Sequence, residues 1–326
     1  MEKLTNNVTN CALVFEGGGY RAAYTAGFAR VLMEQGIWFD FVCGLSAGAS
    51  HTVDYVSRDL WRTRFAFLSE KPEGGAPING LGSILNGTRY FNAEYLYTGC
   101  VEDGFMPFDW DAFCANPARI AIQSFEGDTG RTRVFTKDDM PTITDMMTQV
   151  RASSSLPGMM VPIQIDGHTM YDGGLGKGAG IPLHMAEEAG YERFFFVASR
   201  PRGYRKEPPT QRELGAIELL TRGKPYLRDA LVNRWKRYNE ALTHVEDLAR
   251  EGRAFVVYPD EMPVKSSTTD HAKLVAAYDQ GHAQGMRDLP RWREFLFGAP
   301  DAGPSATPEQ VRDMVAEIDG GYVTIW

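Results

Sequence analysis

"WFDFVCGLSAGASHTVDYV" (residues 38–56) reads as strand, tight turn and helix in direct succession. The apolar run "WFDFVCG" (38–44) has the length and composition of a buried strand, and "SAGASHTVDYVSRDL" (46–60) has helical spacing. Ser46 stands at the turn, inside Gly44-Leu45-Ser46-Ala47-Gly48. Two readings fit. In one, Ser46 is a nucleophile on a strained elbow, with Gly44 and Gly48 relieving the crowding and the helix dipole favouring charge at its Oγ. In the other, it is an N-cap serine at a βα turn.

Upstream, "CALVF" (11–15) is a second buried strand, followed by "GGG" and by a helical pattern over 20–36 that stops at Gly36. The β–α–β–α order points to a parallel sheet with packed helices. In "FEGGGYRA" (15–22), successive glycines at a helix start let backbone N–H groups converge on one point, a cradle for an oxyanion or a phosphate. Gly17, Gly19 and Ala22 also satisfy the dinucleotide pattern GxGxxA, so a dinucleotide-binding oxidoreductase is a competing reading. That reading wants an acidic residue ending the second strand. Here the strand ends in "CGLSAG", and Asp40 lies near its start.

Downstream, residues 61–118 break the rhythm with aromatics and a "KPEGGAPING" loop, and read as an insertion or a cap over the sheet edge. "ARIAIQSF" (118–125) and "TRVFT" (132–136) form a hairpin, 142–155 a helix, "MVPIQI" (160–165) and "TMYDGG" (169–174) a strand pair, 181–190 a helix, and "RFFFVAS" (193–199) a strand. Past "KEPP" the texture turns helical, as in 227–252, with one strand at 253–259. The predicted boundary lies near 205, giving domains 1–205 and 206–326. Met159 and Met160 are candidate pocket residues.

The net charge of −8 argues against a nucleic-acid partner. No apolar stretch approaches the ~18 residues of a membrane span, and the polar start lacks a signal-peptide core. Cys11, Cys43, Cys100 and Cys114 show no CxxC spacing, which fits a reduced, cytoplasmic protein.

A serine nucleophile needs a base. Of the six histidines only His168, close to Asp172 in sequence, rivals that aspartate; Asp172 alone, before two glycines, also reads as a turn former.

Taken in order, "EGGGYRAAYTAGFARVL", "GLSAG", "RASSSLPGMMVPIQIDG" and "YDGG" resemble the patatin-like phospholipase family over about residues 11–200. The resemblance implies a three-layer α/β/α fold with a mainly parallel sheet, here with a mostly helical C-terminal extension. It implies a serine acyl hydrolase of lipid esters, phospholipid or lysophospholipid, with Ser46 as nucleophile and Asp172 as base. Gly17, Gly18 and Gly19 would form the oxyanion hole, and Arg21 would brace that loop. Glu16 departs from the family's usual Asp or Gly, and Ala22 from its common Gly. No cofactor or metal is expected. The expected partner is a lipid ester at a membrane surface or micelle, met by a cytoplasmic protein peripheral to the membrane, with self-association through the extension. A non-catalytic lipid-binding or scaffold protein on the same fold is the alternative.

Overall fold

The computed structural model describes residues 4–75 and 77–304. The chain opens with β1 (Ala12–Phe15), α1 (Ala22–Glu34), β2 (Phe41–Leu45) and α2 (Ala47–Val56). The predicted helix over 46–60 stops early because Arg58 turns left-handed (φ 57°) and the Asp59 side chain caps a new helix at the Arg62 amide. That helix is α3 (Leu60–Phe65), followed by α4 (Gly80–Leu85), a π-helical turn at Tyr95–Gly99, α5 (Cys100–Glu102) and α6 (Trp110–Ala115).

Then come β3 (Arg119–Glu126), β4 (Thr132–Phe135), α7 (Ile143–Ser154), β5 (Ile163–Ile165), β6 (His168–Asp172), α8 (Leu183–Glu188) and β7 (Phe194–Val197). The last stretch is α9 (Gln211–Leu220), α10 (Pro225–Val232), α11 (Arg234–Arg250), β8 (Ala254–Val257) and α12 (His271–Phe297). Thr142 and Thr210 each open their helix with a reciprocal capping box, to Asp145 and Glu213. The helix read over 227–252 is two helices, because Asn233 closes α10 and opens α11.

The sheet runs β5-β6-β3-β2-β1-β7-β8, with β4 also on β3. Strands β3, β2, β1, β7 and β8 are parallel; β4, β5 and β6 join antiparallel. Register on β3 positions the site. Ile122 and Gln123 pair with β2 on one edge and with β4 on the other. At Ser124 β4 still holds its edge, so β6 takes the edge that β2 has just left. Leu45 pairs with Gln123, and Asp172 with Ser124. The tips of β2 and β6 therefore meet head to head, although Ser46 and Asp172 are far apart in sequence.

Side-chain alternation divides the core. Leu13, Phe15, Val42, Phe195 and Val197 face α1, α2, α7 and α12. Ala12, Val14, Cys43, Phe194 and Phe196 face α8 and α11. The result is a three-layer α/β/α fold. Every residue of α1 is buried, as expected of a helix roofed by another. Gly27 and Gly281 allow α1 and α12 to touch backbone to backbone. Residues past 205 thus supply a sheet strand, β8, and helices on both faces.

Candidate active site

The elbow is built by sterics and closed by hydrogen bonds. Ser46 sits at φ 54°, ψ −128°, a conformation costly for a residue with a Cβ. A Cβ on Gly44 would run into the Gly48 carbonyl, and one on Gly48 would lie 2.5 Å from the Phe15 oxygen. Only glycines at both places let the turn close. The Ser46 amide donates to Ser153 Oγ (2.8 Å), which donates to the Gln123 carbonyl (2.6 Å). Strand, elbow and the end of α7 are thereby joined through one hydroxyl.

Asp172 ends β6, 2% exposed. Its amide donates to the Ser155 carbonyl (2.9 Å), and its Oδ1 accepts the Gly174 amide (2.7 Å). Oδ2 is buried with no partner of regular hydrogen-bond geometry among the described residues. The Ser46 hydroxyl nevertheless lies close enough to act on this carboxylate as a donor. Burial pushes Asp172 above the usual carboxylate range, while the Arg234 charge, the Ser46 hydroxyl and the Gly174 amide pull it back.

The glycine loop faces the same tip. A Cβ on Gly17 would lie 3.3 Å from Ser46 Cβ. The Gly17 amide donates to Gly180 (3.1 Å), whereas those of Gly18 and Gly19 have no acceptor among the described residues. Arg21 braces the loop through Ser199: its Nε donates to the Ser199 carbonyl (3.0 Å), and Ser199 Oγ donates to the Gly17 carbonyl (3.0 Å). Burial lowers the Arg21 pKa to about 10. Glu16 accepts the Ser199 amide (2.6 Å) and the Tyr238 hydroxyl (2.7 Å), so its carboxylate is a strut of the loop.

Ser46 opens into a cavity. Residues 61–118 supply much of the lining, including Phe67, Phe91, Leu96, Tyr97 and Met106; Met160 lines it as well. Met159 instead packs beside Phe91, whose amide its carbonyl accepts (3.0 Å). Asp54 and Arg62, buried and paired at 2.9 Å, make a polar patch in the wall. Burial lifts Asp54 to about 7 against the pull of Arg62.

The histidines lie elsewhere. His168 begins β6, roughly 13 Å of strand from Asp172, and its Nδ1 pairs with Asp128 Oδ2 (2.6 Å). His51 is buried against Phe15 and Phe67, with Nε2 on Thr25 Oγ1 (2.8 Å). Asp40, at the far end of β2, accepts the Tyr191 hydroxyl (2.8 Å). Sequence reading missed Ser153, Gln123, Ser199, Arg234 and Tyr238. The serine run 153–155 was on view, but nothing local assigns its members to separate contacts.

Among the described residues no helix is long and apolar enough to cross a membrane. No curated protein matches the sequence. Among the solved structures that match is VipD from Legionella pneumophila, at 13% identity, covering 95% of this chain and 74% of its own, with a TM-score of 0.46. The model of a domain of unknown function (DUF6363) matches residues 224–297. The patatin-like phospholipase model matches residues 13–186, more than half of the 326. The chain belongs to the patatin-like phospholipase family.

Proposed function

We propose that the protein hydrolyses lipid carboxylic esters through a Ser46–Asp172 dyad and an acyl-enzyme. The observation that carries this is the buried Asp172 carboxylate, with Oδ2 unpartnered among the described residues and the Ser46 hydroxyl acting on the group as a donor. Oδ2 takes the Oγ proton as Oγ attacks the ester carbonyl. The tetrahedral oxyanion rests on the free amides of Gly18 and Gly19; one such donor is worth ~10²–10³ in rate. The protonated carboxyl returns its proton to the leaving alcohol. Water, activated by the same carboxylate, then releases the acid. A carboxylate raised by burial is a better base than an ordinary aspartate.

The apolar lining suits an acyl chain. Exposed Leu81, Ile84 and Leu85 on α4, and exposed Val161, sit on the segments that carry Phe91 and Met160 to the cavity. The Gly80 amide bonds the Tyr90 carbonyl (2.8 Å), tying α4 to that wall. Exposed apolar side chains beside an apolar mouth support contact with a lipid surface or micelle, phospholipid or lysophospholipid being the substrate class.

Ser46→Ala and Asp172→Asn should each cut hydrolysis of a p-nitrophenyl acyl ester, and of phospholipid in mixed micelles, by at least about 10³-fold. Circular dichroism should stay unchanged. Full activity in Ser46→Ala would contradict the reading.

A further inference from the structure

Helix α11 lies within the segment matched to a domain of unknown function. Its buried stripe is Tyr238, Leu242, Val245 and Leu248. Arg234 is one turn before Tyr238 and so shares that face. The three apolar members pack on the sheet. Arg234 and Tyr238 do not stop there, since both continue to the loops around Ser46.

Tyr238 is 2% exposed, yet its hydroxyl ends on a charged group, Glu16 Oε1. The other oxygen of Glu16 holds the Ser199 amide, and Ser199 Oγ holds the Gly17 carbonyl. The ring of Tyr238 also backs Gly180, 3.3 Å from where a Cβ would stand. Gly180 in turn accepts the Gly17 amide. Gly17 is therefore held at both its amide and its carbonyl by groups that rest on one tyrosine.

Arg234 works on the other loop. Its Nε donates to the Ala179 carbonyl (3.3 Å). Ala179 has φ 51°, a left-handed conformation that a non-glycine residue keeps only when its surroundings enforce it. Its Nη2 lies 2.7 Å from the Cβ position of Gly174, whose amide holds Asp172 Oδ1. A cation so placed stabilises the ionised carboxylate.

We propose that α11 is the brace of the active-site loops, with Tyr238 positioning the glycine loop and Arg234 positioning the loop after β6 and favouring charge on Asp172. This rests on the Ser46–Asp172 reading above. The groups that face Asp172 are the Arg234 guanidinium from α11, the Ser46 hydroxyl from the elbow, the Gly174 amide, and the Tyr97 phenol from the π-helical turn. Arg234 is the cation among them.

The test is the pH profile of kcat/KM in the full-length chain. Arg234→Met should move the acid limb to higher pH by about one unit, because the base then protonates more readily. Arg234→Lys should keep the wild-type limb. Arg234→Gln, which retains a donor for Ala179, should also move the limb and carries the test if Arg234→Met does not fold. Tyr238→Phe should lower kcat about tenfold with the limb and KM unchanged. Wild-type limbs in both neutral Arg234 variants, or a wild-type kcat in Tyr238→Phe, would overturn the proposal. Ser46→Ala measured alongside separates the two failures. If it stays active, the dyad reading falls; if it is inactive while the Arg234 and Tyr238 variants behave as wild type, only the brace falls.

Discussion

The two strand tips that meet at Gln123 and Ser124 are held in different ways. The elbow after β2 is self-contained. Its glycines, its strained serine and its brace, Ser153, come from the family-matched segment and close over short range or onto α7. The tip of β6 is held partly from outside, since its loop leans on α11 through Arg234. The glycine loop is intermediate, tied by Arg21 and Ser199 from within residues 1–205 and by Tyr238 from the C-terminal extension. Strain can be stored where packing over-determines the backbone, as at Ser46. A basic carboxylate instead needs an environment that buries it and still moderates the cost.

The difference can be broken most severely at the elbow. In Gly44→Ala the new methyl meets a backbone oxygen with nowhere to move, so the chain should lose at least about 3 kcal/mol and its activity. Gly174→Ala is the counterpart after β6. There the new methyl meets the end of a long side chain, Arg234 Nη2, and Asp172 Oδ1. Stability should fall by under about 1 kcal/mol, with a larger loss in kcat. Chemical denaturation and ester kinetics check both.

Ser153→Ala removes the hydroxyl shared by the Ser46 amide and the Gln123 carbonyl, at a cost of about 1–3 kcal/mol. The two sides should also titrate with opposite signs. Burial holds His51, on the elbow helix, at about 3, against about 6.5 unfolded. Between those values only the unfolded chain binds the proton, so this contribution is complete above the unfolded pKa and is lost as pH falls toward 3. Asp172 is raised instead, so the folded state holds its proton more tightly. Its ionisation costs stability as pH rises through the folded pKa, and Asp172→Asn should melt higher than wild type at pH 8. His51→Gln should lose less stability than wild type between pH 7 and 5. Melting curves at each pH read both.

The same contrast governs what the sequence made legible. Strand, turn and helix around Ser46 follow from local pattern, as does the parallel sheet from the β–α–β–α order. The three-layer fold followed from resemblance and stands in the structure. Asp172 could be proposed only through resemblance, because its nearness to Ser46 is a matter of register on β3. Ser199, Arg234 and Tyr238 carry no local signature; each acts through contacts with residues distant in sequence. The break at Asn233 was hidden for another reason, since apolar spacing continues across it. His168 looked like a rival because sequence distance hides that it occupies the other end of the strand.

The most direct test is labelling by a fluorophosphonate, with the modified peptide identified by mass spectrometry. Rapid modification of Ser46 in the wild-type chain, and modification slowed by orders of magnitude in Asp172→Asn, is the expected result. A label on any other serine, or an equal rate in the two proteins, would contradict the account.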